Sequence, residues 1–322
     1  MSRSPVSPVT VVCIRSLSYT GTTWLNTVIG CHERAFALGP ADRGLRLAMG
    51  EETGAACLVH GVQCQLWPGF LEAYDRTGNF FLQLAKHAGK DIIVTNNLIP
   101  DKAGKHLDHP SIVTRHIQVV RDGRALAASF KRKFPAKTFI EAITGFLQPS
   151  FHHFNWDTGN PDLLCIRYED TLAAQEDTLA RIASYLDIDY TPDALRFWEW
   201  RHHHIAGNQG TIALCRLAEG LPIGNFEGRT FYEEHFRRIS GGDPYSFKDD
   251  RADERLTRFD RFVFDCLAGA DNERYGYERD RFTTDEVRDF SQLLQLARQR
   301  GRVTGDFTRE LAFFFGGEPS QP

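Results

Sequence analysis

Three short stretches of this 322-residue chain carry side chains suited to holding an anion. The first is Ser18-Tyr19-Thr20-Gly21-Thr22-Thr23-Trp24-Leu25, lying between an apolar run and a helical pattern. A helix N-terminus presents unpaired N–H groups and a partial positive charge; Gly21 lets the backbone approach an anion, and the hydroxyls of Thr20, Thr22 and Thr23 add donors. The stretch reads as a phosphate or sulfate cradle, or as a Thr-rich N-cap without a ligand. It lacks the Gly-Lys-Thr of a nucleoside-triphosphate loop and the G-x-G-x-x-G of a dinucleotide fold. The second stretch runs from Val120 to Ser129, where Arg121 leaves a strand and Ser129 lies on the first two turns of the next helix. Together they could hold one anion, the guanidinium by charge-assisted hydrogen bonds and the serine by its hydroxyl. A surface ion pair of Arg121 in the neighbourhood of Asp122 is the alternative. The third is Arg167-Tyr168-Glu169-Asp170, again at a strand end, where Tyr168 could stack on or edge a base.

The elements that position these stretches follow from the apolar pattern. Val9 to Ile14 is rich in β-branched residues and reads as a buried strand, and Thr22 to Cys31 reads as a helix with Trp24, Leu25, Val28 and Ile29 inward. Asp91 to Thr95 and His116 to Val120 are further strands, the second followed by a helix from Gly123 to Lys133. Leu163 to Arg167 is a fourth strand, followed by one amphipathic helix from Thr171 to Leu186. Strands alternating with helices imply an α/β fold with a central, mainly parallel sheet flanked by helices, and ligands in such sheets sit at the carboxyl ends of the strands. Beyond about residue 190 the chain is helix-rich, with Pro192 to Trp200, Glu254 to Leu267 and Asp285 to Arg298 as the clearest elements. Thr283-x-x-Glu286 reads as a capping box for the last, whose apolar face is Val287, Phe290, Leu293, Leu294 and Ala297. Gly207 to Gly228 and Gly241 to Asp250 read as turn-rich connections. Without repeats or linkers, one domain over residues 1–322 is expected, with the sheet core at about 9–190 and the helical portion at about 190–322.

Composition bounds the function. With 42% hydrophobic and 25% charged residues, the chain is of ordinary globular type. At this size roughly 75% of the unfolded surface can be buried, so neither disulfides nor a structural metal are needed to make a core. Lys and Arg number 38 against 42 Asp and Glu, which argues against a general nucleic-acid binder while leaving room for a small basic pocket. The seven cysteines, an odd number, fit reduced cytoplasmic thiols. The apolar run at Val9 to Ile14 stops at Arg15, too short for a signal-peptide core or a membrane span, and no later stretch approaches ~18 apolar residues. Phe313, Phe314 and Phe315 read as a docking helix or strand. A cytoplasmic protein is expected, and nothing in the sequence selects an oligomeric state.

Taken together and in this order, the three anion-holding stretches resemble the sulfotransferase family that uses 3′-phosphoadenosine 5′-phosphosulfate (PAPS). SYTGTTWL is similar to that family's S-G-[ST]-T-[WL]-L signature for the 5′-phosphosulfate. Arg121 and Ser129, eight apart, match the Arg and Ser that bind the 3′-phosphate, and Tyr168 in RYED matches a tyrosine beside the adenine. Similarity to the bacterial, carbohydrate-type branch continues through HERAFALG (32–39), CLVHGVQCQLW (57–67), NNLIPDK (96–102), HHIAGN (203–208), FKDDR (247–251) and NERYGY (272–277), most of the chain. The resemblance implies a P-loop-like sulfotransferase fold and transfer of a sulfuryl group from PAPS to a hydroxyl or amine of a saccharide or small-molecule acceptor. Adenosine 3′,5′-bisphosphate (PAP) would be released. It further implies a cofactor site made of Tyr19, Thr20, Gly21, Thr22, Thr23, Trp24, Arg121, Ser129, Tyr168, Gly207 and Asn208, and no metal.

The sequence departs from the family pattern nearer the reacting groups. Tyr19 stands where many members have Lys or Arg two residues before the loop glycine, so Arg15, a lysine from elsewhere or backbone donors would steady the leaving oxygen. Gly39-Pro40 replaces Gly-Glu, and Thr95-Asn96-Asn97-Leu98 replaces D-S-S-K, although Pro100-x-Lys102 keeps the later spacing. The Arg that usually follows Gly-Asn is absent after Asn208, the nearest being Arg216. Sulfuryl transfer needs an in-line acceptor, a base for its proton and positive groups around the developing charge. His60 and Asp42 are the candidate bases, because their segment forms the acceptor side in relatives; surface roles are the alternatives. Cys57-x-x-His60-x-x-x-Cys64 resembles half of a zinc motif, but no fourth ligand stands at fitting spacing, so packed thiols are expected. His202, His203 and His204, taken as helical, would point in different directions, one toward the cofactor and two toward solvent. Phe151-His152-His153-Phe154-Asn155-Trp156 could line an acceptor pocket or pack between helices. Two rival functions are a P-loop-type phosphotransferase dependent on Mg²⁺ and nucleoside triphosphate, and a noncatalytic PAPS- or PAP-binding relative.

Overall fold

In Val9–Ser16 (β1) the side chains of Val11, Val12, Cys13 and Ile14 are all buried, which marks a strand covered on both faces. The computed structural model describes residues 8–53, 57–96, 102–149, 163–190, 192–224, 229–243 and 256–301. The other strands are β2 (Ala35–Gly39), β3 (Ile92–Asn96), β4 (Ile112–Val120) and β5 (Leu163–Arg167), and the sheet order is β2-β3-β1-β4-β5. β1 runs parallel to both neighbours, with Val12 opposite Val94 on one side and Arg115 on the other. β2 runs parallel to β3, with a register shift between Ala37 and Gly39.

Twelve α-helices accompany the sheet among the described residues: α1 (Thr22–Ile29), α2 (Ala41–Met49), α3 (Leu66–Ala73), α4 (Phe80–Ala88), α5 (Gly123–Lys133), α6 (Phe139–Ala142), α7 (Tyr168–Ala173), α8 (Gln175–Leu186), α9 (Gln209–Ala218), α10 (Arg229–Ser240), α11 (Arg258–Glu273) and α12 (Thr284–Gln299). The chain falls into two compact units. One comprises Met1–Ser16, Gly21–Val119 and Thr158–Ser246, and the other Leu17–Thr20, Val120–Asp157 and Phe247–Pro322.

The first unit holds the sheet and helices on both of its faces. A Cβ on Gly30, at the end of α1, would meet Ala37 Cβ at 2.4 Å, whereas one on Gly44 of α2 would touch Phe80 of α4 and Leu38. Ala37 and Leu38 are consecutive in β2 and so point to opposite faces, which puts α1 on one side and α2 and α4 on the other. Phe36 meets Trp67 of α3 edge-on at 6.3 Å on the Leu38 side. The second unit packs Leu126 of α5, Phe139 of α6, Phe262 and Phe264 of α11, and Val287 and Leu294 of α12 into one apolar cluster.

Several elements differ from the sequence expectation. The helix expected over 171–186 is two, α7 and α8, broken at Ala174, whose φ of −148° and ψ of 73° are not helical. The expected turns after Gly207 contain α9, because Asn208 caps an apolar run that the surrounding glycines obscure. Pro192–Glu199 is 3₁₀ and kinked at Arg196. The capping box at Thr283 and Glu286 is present. Leu293 is 49% exposed, while Ser291 takes a buried place on α12, because 287, 291 and 294 share the helix face that Leu293 flanks. Residues 244–250, Glu254 and Phe313 to Phe315 lie outside the described residues. No described helix is long and apolar enough to cross a membrane.

Candidate functional site

β1 is the central strand, and the chain moves from it to β2 and β3 on one side before crossing to β4 on the other. The carboxyl end of β1 is therefore a topological switch point, where open parallel sheets bind ligands. The loop that leaves it is held in an uncommon backbone form. Tyr19 has a φ of 71° and Gly21 a φ of 75°. Left-handed backbone is expected of glycine but is a strained state for tyrosine, and such strain concentrates at functional loops. Thr20 Oγ1 donates to Leu17 O at 2.8 Å, closing the turn. Gly21 is the N-cap of α1 and, having no side chain, adds no side-chain cap to the helix start.

Within the second unit, the buried Arg121 side chain donates from Nη1 to Tyr19 O at 2.7 Å, joining two stretches 102 residues apart. The Tyr19 ring sits edge-on to Phe146 at 6.2 Å, and burial pushes its hydroxyl pKa up against the opposing charge of Arg132. Ser129 is buried on α5. Asp122 pairs with Arg124 at 2.7 Å, and Asp280 binds the same guanidinium at 2.7 Å. Burial works against the Arg124 charge, yet the two carboxylates hold its pKa above the usual value. A Cβ on Gly123 would meet Phe264 at 2.6 Å, so glycine is required where α5 starts.

Within the first unit, Thr22 Oγ1 shares a short hydrogen bond with Ser16 Oγ, and Trp24 is buried. Asn208 N donates to Thr23 Oγ1 at 2.9 Å while Asn208 Oδ1 caps α9 through Gly210 N at 2.8 Å. A Cβ on Gly207 would lie 2.6 Å from Thr23 Cγ2. The structure thus sets Gly207 and Asn208 against the first turn of α1. Tyr168 opens α7 at the end of β5 and is buried.

The expected bases part company. Asp42 is buried in the first turn of α2, where its Oδ1 accepts from Ala103 N at 3.1 Å. His60 has both ring nitrogens engaged, Nδ1 at 3.3 Å from Cys57 Sγ and Nε2 at 2.9 Å from Glu219 Oε1. With Glu219 on Nε2, the ring turns Nδ1 toward the cysteine turn. His202, His203 and His204 are not helical. In extended backbone alternate residues share a side, and the rings of the buried His202 and His204 stack at 5.7 Å while His203 meets His60 at 4.7 Å. None of the three faces solvent fully, and burial holds His202 down to about 4 and His204 to about 3.

One residue of the segment that replaces D-S-S-K carries a feature its motif position does not show. Asn96, at the carboxyl end of β3, buries an Oδ1 that has no hydrogen-bond partner among the described residues. Burial without a partner is costly, so such an atom marks a place for a ligand donor or water. Its signal in the sequence was its position at a strand end. Asn97, Leu98, Pro100, Phe151 to Trp156 and 247–251 lie outside the described residues.

No family model and no curated protein matches the chain. Among solved structures it is similar to the sulfotransferase domain from the curacin biosynthetic pathway, at 14% identity and a TM-score of 0.46 over 78% of this chain and 96% of that one. It is similar also to the sulfotransferase domain of the Synechococcus olefin synthase, at 13% identity and a TM-score of 0.48 over 86% and 98%. A mouse sulfotransferase complexed with PAP gives 13% identity and a TM-score of 0.39 over 89% and 88%.

Proposed function

We propose that this chain is a PAPS-dependent sulfotransferase that moves the sulfuryl group to a hydroxyl or amine of a saccharide or small-molecule acceptor. The observation that carries the reading is the hydrogen bond from buried Arg121 to the carbonyl of Tyr19. It fastens the residue expected on the 3′-phosphate to the loop expected on the 5′-phosphosulfate. In this reading Tyr19 to Trp24 hold the 5′-phosphosulfate through backbone N–H groups and hydroxyls, Arg121 and Ser129 the 3′-phosphate, and Tyr168 the adenine. Gly207 and Asn208 back the loop through Thr23. With tyrosine at position 19, the leaving oxygen is steadied by the N-terminus of α1 and not by a loop lysine. Asp42 is the proposed base, and Asn96 Oδ1 the proposed acceptor of a ligand donor. The reaction itself requires no metal.

Calorimetric titration with PAP, AMP, and ATP with and without Mg²⁺ tests the reading. PAP should bind tightest, and Arg121→Ala should weaken it by about 10- to 150-fold, the equivalent of losing a charged hydrogen-bond partner worth ~1.5–3 kcal/mol. AMP binding as tightly as PAP, or tighter Mg²⁺-dependent binding of ATP, would sink it in favour of phosphotransfer.

A further inference from the structure

Cys57, His60 and Cys64 lie on one turn, and the structure brings a fourth ligand-type side chain to them from 139 residues away in the form of His203. Cys57 Sγ lies 3.3 Å from His60 Nδ1, and Cys64 Sγ lies 3.4 Å from His203 Nδ1. All four donor atoms fall within 4.8 Å of one another. A zinc ion at ~2.3 Å from sulfur and ~2.05 Å from nitrogen makes a tetrahedron with edges of about 3.4–3.8 Å, so the side chains already outline one of nearly the right size. We propose that Cys57, His60, Cys64 and His203 bind a structural zinc ion.

Three features outside the four ligands support the assignment. The Glu219 carboxylate takes His60 Nε2, at 2.8 Å from Oε2, which fixes the proton there and turns Nδ1 toward the sulfurs. Carboxylate–histidine pairs of this kind orient zinc ligands and raise their basicity. The backbone N–H of His60 donates to Cys57 Sγ at 3.4 Å, a contact that orients the sulfur within the cluster. The two ligand-bearing segments are also bound to each other and to α9. Leu58 N donates to His204 O at 2.7 Å, Trp67 Nε1 to His203 O at 2.7 Å, and Arg216 Nη1 to Val59 O at 2.6 Å. The ligands are thus positioned by backbone that the metal does not have to order.

Two thiolates and two neutral imidazoles suit zinc over the hard cations, and four protein ligands leave no open position for substrate. Cys57, His60 and Cys64 are buried, so the site is closed. Its role is to join the 57–64 turn to the segment that continues through Ile205 to Gly207 and Asn208. The proposal is independent of the sulfotransferase reading, since any function could use such a clamp.

The test is elemental analysis of the full chain purified without chelator, followed by chelation and titration with Co²⁺. About one zinc per chain is expected, and Co²⁺ should give the intense visible bands of a tetrahedral site together with sulfur-to-cobalt charge transfer. Cys64→Ser and His203→Gln should each lower bound zinc at least about tenfold, since loss of even a partner behind a ligand costs that much, while Cys165→Ser should leave it unchanged. The wild-type measurements need no variant to fold. A chain that arrives without zinc, or with a Cys57–Cys64 disulfide, and then shows no thiolate–cobalt band would overturn the proposal.

Discussion

Replacing Gly207 with alanine probes the wall behind the loop. The new Cβ would sit 2.6 Å from Thr23 Cγ2, 3.2 Å from Thr23 Oγ1 and 3.5 Å from Thr23 Cβ. Non-bonded carbons rest near 3.5–4.0 Å, so roughly 1 Å of overlap must be relieved by moving Thr23 or the 207–208 backbone. Overpacking of this kind costs about 1–3 kcal/mol. The φ of 155° at Gly207 adds backbone strain that an alanine side chain also meets. Thr23→Ser removes the clashing methyl but keeps the hydroxyl that accepts from Asn208 N. The double variant should therefore recover most of the steric part and none of the backbone part, a coupling on the order of 1–2 kcal/mol in a double-mutant cycle. The assay is urea denaturation of the four proteins, with PAP titration alongside. A neutral Gly207→Ala, or effects of the two substitutions that simply add, would show that the 207–208 segment does not press on the first turn of α1.

Other perturbations address the second unit. Burial pushes the Asp265 carboxyl up to about 7, with the Asp280 N–H and Arg124 opposing the shift and the Asp280 carboxylate adding to it. Its folded pKa lies above the unfolded value near 3.9, so the native state binds the extra proton and this group's stabilisation falls as pH rises from about 4 to 7. Asp265→Asn should flatten that fall, on the order of a few kcal/mol, in urea midpoints taken across the range; an unchanged slope would remove Asp265 as its source. Thr283 Oγ1 accepts from Glu286 N while the Glu286 side chain returns to Thr283 N. Thr283→Ala should cost about 0.5–2 kcal/mol in the same assay, and no change would mean that α12 needs no cap.

The strands and helices with strong patterns were legible in the sequence. β1 and α1 stand out because a β-branched run is followed by apolar residues at helical spacing, and α5 because its limits fall at Gly123 and Lys133. β2 was passed over because five apolar residues, AFALG, carry no periodicity that separates strand from helix. α9 was hidden by Gly207, Gly210 and Gly220, although Asn208 was a readable N-cap. Gly207 and Asn208 were expected at the cofactor loop, and the structure adds the hydrogen bond to Thr23 that gives them a physical task. The cysteine turn shows the opposite limit. Local spacing shows three ligands, but the fourth comes from across the fold, where no spacing rule reaches. His203 became visible only when the extended backbone turned it away from His202 and His204.

The position of β1 at the centre of the sheet also sets a timetable for synthesis. Its neighbours β3 and β4 begin only at Ile92 and Ile112, long after β1 ends at Ser16. At ~5–20 residues per second the ribosome needs roughly 5–20 s to supply both partners. Until β3 is made Val9 to Ile14 is an apolar strand with two open edges, and until β4 is made it keeps one, each able to pair with another nascent chain. The yield of folded protein should therefore follow the rate of elongation between β1 and β4 and the supply of chaperones, rather than the stability of the finished sheet.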